Sequence, residues 1–472
     1  MEKAEQIRSS NSSSKLAKAL LLLGLSLGYF MVLLDTTVVS IALPAIRTDL
    51  GGGIEGLQWV VNAYTIVFSG FLLSMGGLAD KFGAKRLYLG GLTLFLIASA
   101  ASAVCPSLGA LIAIRAILGL GGACLMPASL SLLAHAFPEA GERARALGIW
   151  AAVTGGAMAA GPVVGGILVD TLGWRSIFLV NLPLALLSLL LTSLMIRETP
   201  HNPKKGFDAS GQFTAIAAIG ALSFALMEGQ VYGWGSPIII SACSLAVLSA
   251  ILFFRVEAIG KAPLLPLALL RSPTLVAGIL AGMAINIGLS GILFVMPLFF
   301  QQAIGSSAHI AGLSLLPLTI PLAFNPIFTG RIVGQIGAKI PMTFGFCLGA
   351  MGTLLLVWAD QSTSYAIMFF GLLFIGFGVS FTIPALMAAV ISSAPKDHTG
   401  AAAGALNSSR QLGATIGVAI ISSVLTGSES FITGMHGSLI VLTIILVGGS
   451  LLSFAFIGGR RKTVNQSQDA KD

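Results

Sequence analysis

Apolar residues fill one stretch of about twenty or more positions after another along the whole chain, broken only by short polar segments. At 1.5 Å per residue, about twenty apolar residues is what a helix needs to cross the hydrocarbon of a bilayer. Fourteen such stretches can be drawn, at residues 17–44, 57–79, 86–105, 109–134, 144–169, 174–196, 209–228, 237–257, 273–299, 309–332, 340–359, 365–392, 401–426 and 438–458. The ninth has the least sharp start, because residues 263–275 contain three prolines. Inside lipid every backbone polar group must be paired within the segment, so these stretches are expected to be helices and the chain an all-α integral membrane protein. The longest polar segments are the N-terminus, residues 197–208 and the C-terminal tail, which leaves no room for a soluble domain. The first stretch has no small-residue cleavage site behind it and reads as a retained helix, not a signal peptide.

Composition agrees with the pattern: 56% of residues are hydrophobic and 9% charged. The net charge of +8 does not point to nucleic acid, since the basic residues are scattered through short loops. Their sidedness is informative instead. Of the 26 Lys and Arg residues, Arg47 and Arg175 alone fall on one side, Arg115 and Arg410 fall within or beside stretches, and the rest share the side that carries both termini. The positive-inside rule then puts both termini in the cytoplasm, and a missed or extra stretch would scramble the bias. The four cysteines, Cys105, Cys124, Cys243 and Cys347, fall in or at the end of apolar stretches and read as small core residues, with no metal site and no disulfide expected.

One acid stands inside the first stretch, in Leu33-Leu34-Asp35-Thr36-Thr37-Val38-Val39. An Asp at the centre of a spanning helix costs about 3 kcal/mol, and roughly 0.5 kcal/mol per apolar neighbour offsets it. An acid retained at such cost is a candidate for binding a proton or a cation. Counting back from Pro44 sets Asp35 roughly 13 Å below the end of its stretch, and Arg115 lies roughly 9 Å into its own from the same side. A carboxylate that faces both an apolar surround and a nearby cation can exchange a proton. A purely structural acid, and an Arg that only holds helices together, are the other readings. Glu228, beside Gly229 at the end of the seventh stretch, reads as a solvated helix end.

The chain also echoes itself. Gly77-Leu78-Ala79-Asp80-Lys81-Phe82-Gly83-Ala84-Lys85 follows the second stretch, and Gly330-Arg331-Ile332-Val333-Gly334-Gln335-Ile336-Gly337-Ala338-Lys339 follows the tenth. If the seventh and eighth stretches are an insert, the two loops correspond, and the chain divides into a six-helix bundle at 14–196, a two-helix insert at 197–258 and a second six-helix bundle at 259–460. The insert carries no motif and almost no charge and is expected outside the twelve-helix core.

Six segments resemble one known group. They are Leu34-Asp35-Thr36-Thr37-Val38-Val39-Ser40-Ile41-Ala42-Leu43-Pro44; Gly76-Gly77-Leu78-Ala79-Asp80-Lys81-Phe82-Gly83-Ala84-Lys85-Arg86; Leu111-Ile112-Ala113-Ile114-Arg115-Ala116-Ile117-Leu118-Gly119-Leu120-Gly121; Gly155-Gly156-Ala157-Met158-Ala159-Ala160-Gly161-Pro162-Val163-Val164-Gly165-Gly166; Gly173-Trp174-Arg175-Ser176-Ile177-Phe178-Leu179-Val180-Asn181-Leu182-Pro183; and Gly404-Ala405-Leu406-Asn407-Ser408-Ser409-Arg410-Gln411-Leu412-Gly413. Together they are similar to the major facilitator superfamily in its fourteen-span drug:proton antiporter branch, over nearly the whole chain. Ser40, Ala84 and Leu118 depart from the residues usual there. The resemblance implies two six-helix bundles plus two extra helices. It implies proton coupling at Asp35 and Arg115, and conformational gating by Gly76, Asp80, Gly83, Lys85 and Arg86. It implies an antiport motif at Gly156, Gly161, Pro162, Gly165 and Gly166, whose physical content is a bent, small-faced helix. Tyr64, Trp150, Met158, Asn286, Phe294 and Gln411 are candidates to line a substrate cavity.

The function expected is proton-coupled export of amphipathic, cationic or zwitterionic drugs, with the proton gradient as the driving force and no cofactor. A dedicated exporter of one metabolite, antibiotic or siderophore is the alternative. The expected partners are a small-molecule substrate, protons and the lipid bilayer, with no nucleic acid, in a monomer of a bacterial plasma membrane. An enzyme or ATP-driven pump finds no support: the sequence has no Gly-x-x-x-x-Gly-Lys-Ser/Thr loop and no His-Glu-x-x-His pair, and its five histidines lie far apart.

Overall fold

The structure, a computed structural model, describes residues 2–196, 198–199, 208–260, 267–395 and 399–458; at some helical positions, Asp80 among them, only the backbone is described. The described residues are helical nearly throughout. In chain order the helices are α1 (Glu2–Leu50), α2 (Ile54–Phe82), α3 (Ala84–Ala103), α4 (Leu108–Ala136), α5 (Ala140–Leu172), α6 (Ser176–Leu179), α7 (Asn181–Met195), α8 (Ala209–Tyr232), α9 (Pro237–Ile259), α10 (Pro273–Leu298), α11 (Ala308–Ser314), α12 (Leu316–Ile336), α13 (Lys339–Leu356), α14 (Tyr365–Ser393), α15 (Thr399–Thr426) and α16 (Phe431–Phe456). Among the described residues, eleven helices are long and apolar enough to cross a membrane. Helices α2, α5 and α15 stand where three further stretches were expected and do not enter that number; α5 contributes a shorter apolar helix, Gly156–Leu172.

The elements follow the apolar pattern with local differences. Helix α1 runs beyond its expected stretch at both ends and carries Pro44 inside it. The sixth stretch is split into α6 and α7, which meet at Val180, and the tenth into α11 and α12 on either side of Leu315. The doubtful start of the ninth is resolved by chemistry: the Ser272 side chain accepts from Leu275 N, and Pro273 fills the first turn, where no backbone N–H is missed. The repeated Gly-Ala-Lys loops make the same turn. Gly83 ends α2 at φ +98° and Gly337 ends α12 at φ +86°, a left-handed backbone that favours glycine.

Packing groups α1–α7 into one bundle and α10–α16 into another. The bundles meet through α2 against α15, α5 against α11 and α12, and α1 against α10. Helix α9 packs on α8 and presents Leu245, Val247, Leu248, Ile251 and Leu252 outward, an apolar belt suited to lipid. Helix α8 is less peripheral than expected, because it lies over the seam where α2 meets α15. Gln58 Nε2 donates to Met227 O at 3.3 Å, Gln212 Nε2 to Gly70 O at 2.6 Å, and Ser423 Oγ on α15 to Leu226 O at 2.5 Å. Glu228, half-buried at the end of α8, is tied to α2, since Trp59 Nε1 donates to its Oε1 at 2.6 Å. The four cysteines are free, but only Cys105 and Cys124 are buried; Cys243 and Cys347 are exposed on helix surfaces.

Candidate functional site

Helix α1 holds Asp35 against α4, and the two candidate charges meet. Arg115 Nη1 donates to Asp35 Oδ2, and each side chain is 1% exposed. The surroundings organise both partners. Arg115 Nε donates to Val60 O at 3.0 Å, and its guanidinium lies over the Tyr64 ring, 4.6 Å from the centroid. Tyr64 stacks in turn on Phe68. The other Asp35 oxygen receives Asn181 Nδ2 at 3.4 Å; the same nitrogen donates to Ser99 Oγ at 3.1 Å, and Ser99 Oγ donates to Phe178 O at 2.9 Å. Asn181 and Ser99 were not singled out from the sequence. The available sign was an amide and a hydroxyl inside apolar stretches.

A buried ion pair is poor evidence for stability, because desolvating both charges offsets most of their attraction. It is a candidate two-state element: the pair ties α1 to α4, and a change in the charge of either partner would remove that tie. That is the physical requirement for coupling a proton to a helix movement.

The glycines of the fifth-helix motif divide into two contacts. A Cβ at Gly161 would strike Thr37 Oγ1, and one at Gly165 would stand 3.2 Å from Val38 Cα, so these seat α5 on α1. A Cβ at Gly166 would stand 2.5 Å from Ala308 O and 2.7 Å from His309 Cα, so this one seats α5 on α11 of the other bundle. Gly312 of α11 answers it, with the Pro162 carbonyl directly over its Cα. Close approach does not extend to Gly156, where an added Cβ meets nothing within 4 Å among the described residues; Gly76 is likewise open.

Hydrogen bonds between the bundles cluster toward one face, the one where α1 ends and α2 begins. Asp170 at the end of α5 accepts from Ala308 N at 3.2 Å and His309 N at 2.8 Å, Gln301 Nε2 donates to Ile41 O at 3.0 Å, Asn62 Nδ2 to Thr415 O at 3.3 Å and Thr426 Oγ1 to Glu55 Oε1 at 3.3 Å. Thr319 Oγ1 to Ala159 O, at 3.4 Å, is the nearest to the middle. Among the described residues the hydrogen bonds that join the bundles lie toward this face and the middle.

At that opposite face the gating candidates are engaged within one bundle. Glu198 accepts from Lys85 N at 3.0 Å and Arg86 N at 3.2 Å, with Arg86 Nε 3.6 Å from its carboxylate, and Lys85 Nζ donates to Ser193 O and Ile196 O at 2.9 and 2.6 Å. The carboxylate thus caps the first turn of α3, lying close over Gly83 where a Cβ would stand 2.6 Å from it. Lys85 and Arg86 therefore do not bridge the bundles in this conformation, and the Asp80 side chain lies outside the described residues. Glu198→Ala is expected to lower stability by about 1 kcal/mol, as loss of a helix cap does, read as a lower thermal midpoint.

Of the cavity candidates, Trp150 is half-buried and stacks on Tyr29 with centroids 5.0 Å apart, and Met158 and Gln411 are half-buried. Asn286 is buried and accepts from Arg410 Nε at 3.3 Å. Two candidates are corrected: Phe294 is buried in the core of its bundle, and Tyr64 is buried under Arg115, so neither offers a face to an open cavity here.

Comparison with known proteins fits this arrangement. The Major Facilitator Superfamily profile matches residues 25–418. The chain belongs to the major facilitator superfamily. It is similar to "Multidrug resistance protein Stp" of Mycobacterium tuberculosis, with 37% identity over 86% of this chain and 75% of the relative. It is similar to the "Methylenomycin A resistance protein" of Bacillus subtilis, with 33% identity over 98% of this chain and 99% of the relative. The fold is shared with a D-xylose-proton symporter (16% identity, TM-score 0.68, 93% of this chain and 98% of that one). It is shared also with a POT family transporter (13% identity, TM-score 0.70, 93% and 96%). This member of the superfamily is a multi-pass membrane transporter, not an enzyme, with bacterial relatives named for drug and antibiotic resistance.

Proposed function

We propose that this chain is a proton-coupled drug exporter of the fourteen-span antiporter branch, moving amphipathic cationic or zwitterionic compounds out of the cell. The observation that carries the reading is the Asp35–Arg115 pair, a carboxylate and a guanidinium each 1% exposed in spanning helices. The transport cycle exchanges outward substrate movement for inward proton movement through Asp35, as the two bundles rock about a mid-depth site. The relatives named for resistance support the outward direction. The sidedness of Lys and Arg supports a plasma-membrane chain with both termini cytoplasmic; a monomer that needs no cofactor is part of the same proposal. On that orientation the face where the described bonds join the bundles is the outer one, which supports reading this conformation as inward-facing. Lys85, Arg86 and Asp80 would then latch the bundles at the cytoplasmic face in the opposite state, which frees Lys85 from α7.

A dedicated exporter of one compound has a specific observation in its favour. Relatives of this chain are named for resistance to single antibiotics, methylenomycin A in Bacillus subtilis and puromycin in Streptomyces alboniger. The test is accumulation of unrelated dyes and antibiotics by expressing cells. Lowered accumulation of several, restored by an uncoupler, is expected. A change for one compound only would favour the dedicated exporter, and higher accumulation collapsed by an uncoupler would make the protein an importer.

A further inference from the structure

A second cation within a spanning helix, Arg410, is half-buried and plays no part in the coupling pair. It stands near the middle of α15, and among the described residues no carboxylate lies within ion-pair distance of it. Its partners are two neutral amides: Nε donates to Asn286 Oδ1 at 3.3 Å and Nη1 to Asn407 Oδ1 at 3.4 Å. Amide oxygens satisfy individual N–H groups but leave the charge uncompensated, and Nη2 makes no hydrogen bond to any described residue. A guanidinium stays protonated under all ordinary conditions and presents a planar fork shaped for a carboxylate. Holding one unneutralised at mid-depth is costly, so its retention calls for a function.

Helix adhesion does not explain it. Helices α10 and α15 are already in backbone contact: a Cβ at Gly417 would stand 2.6 Å from Ile287 O, and one at Gly413 would strike Met283 O. Ser409 Oγ adds a hydrogen bond to Ile279 O at 2.7 Å. From the other bundle, Tyr29 lies within electrostatic range of Arg410. Tyr29 and Trp150 form a stacked pair with an interplanar angle of 7°, and the Trp150 Nε1–H is a buried donor without a partner. One bundle thus offers a cation whose Nη2 has no bond to a described residue, and the other a stacked aromatic pair with an unused donor, whose Tyr29 feels that charge. Tyr29 is six residues before Asp35, about 9 Å along α1, so an anion beside Arg410 need not disturb the Asp35–Arg115 pair.

We propose that Arg410, with Asn286 and Asn407, docks a carboxylate on the transported molecule, and that Tyr29 and Trp150 carry the aromatic or apolar body attached to it. The preferred substrate class is then an amphipathic zwitterion, not a simple lipophilic cation. This rests on the export reading above and narrows its substrate.

The test uses the purified full-length protein and two probes that differ at one group: a rhodamine with a free carboxylate, and the methyl ester of the same dye, in which that negative charge is removed. Binding is followed by fluorescence anisotropy, with no proton gradient present. The wild type is expected to bind the acid about tenfold or more tightly than the ester. Arg410→Gln should bring the ratio of the two dissociation constants close to one, and Arg410→Lys should keep part of the preference. Asn407→Asp, which sets a carboxylate beside an intact guanidinium, should remove the preference as well, so the conclusion does not hang on one variant. Removing an uncompensated charge is expected to leave the thermal midpoint of Arg410→Gln no lower than that of the wild type. Equal binding of acid and ester by the wild type would overturn the proposal, as would a preference that survives both Arg410→Gln and Asn407→Asp. Since binding is read without a gradient, absence of gradient-driven flux would count against the export reading and not against this one.

Discussion

Asp35→Asn is expected to lose gradient-driven efflux about tenfold or more while still exchanging labelled for unlabelled substrate across the same membrane. Exchange needs no net proton movement, so a protein that has lost only the titrating group keeps it. The fold should survive the change. Breaking a buried ion pair costs about 3–5 kcal/mol when the remaining charge is stranded. Asn keeps an acceptor oxygen for Arg115 Nη1, and Val60 O and the Tyr64 ring still hold the guanidinium, so the loss should fall toward the lower end. Arg115→Ala, which strands the carboxylate with only Asn181 beside it, should be the less stable variant. Replacing both with Met should recover much of the stability, as apolar substitutes for buried pairs often do, yet leave transport uncoupled. Proteoliposomes with and without an imposed pH gradient, together with thermal midpoints, separate these outcomes. Full gradient-driven transport by Asp35→Asn would make the pair structural.

Gly312→Ala is the second large effect. The new Cβ falls on the Pro162 carbonyl, 2.8 Å from its carbon and 3.3 Å from Val163 N. All three atoms are backbone, so no rotamer change relieves the clash, and the bundles must part at this face. The latched conformation would become the minor one, since each ~1.4 kcal/mol of differential strain shifts the populations tenfold. A cysteine introduced at Ser40, which is 5% exposed here, reads the change. In a protein whose four native cysteines are replaced, labelling by a membrane-impermeant maleimide from that face should rise about tenfold. Gly156→Ala is the control: it meets open space, and Ala is the better helix former by about 1 kcal/mol. Unchanged labelling in Gly312→Ala would mean that the bundles are not held together through α5 and α11.

What the sequence made legible depended on lipid. Because helices in hydrocarbon must satisfy their own backbone, apolar stretches mapped onto helices, and depth counting alone put Asp35 and Arg115 within reach of each other. The Gly83 and Gly337 turns were legible for the same reason, since a sharp reversal at a membrane face demands glycine. Side-chain partners set by tertiary packing were not. Glu198 sits in a polar loop, where an acid is unremarked, and its capping of α3 exists only because α7 ends beside α3. Asp170 lies at a helix end that looks solvated until α11 of the other bundle presents its N–H groups. Glu228 read as a solvated helix end because its tie to α2 depends on where α8 packs. Phe294 was misplaced because an aromatic inside an apolar helix carries no mark of which face it occupies.

The most direct test of proton-coupled export is dye uptake by inverted membrane vesicles, with an acid-inside gradient imposed in the absence of ATP. Uptake that starts with the gradient, stops on adding an uncoupler and is missing from Asp35→Asn vesicles is the expected result. Uptake indifferent to the gradient, or appearing only when ATP is supplied, would contradict it.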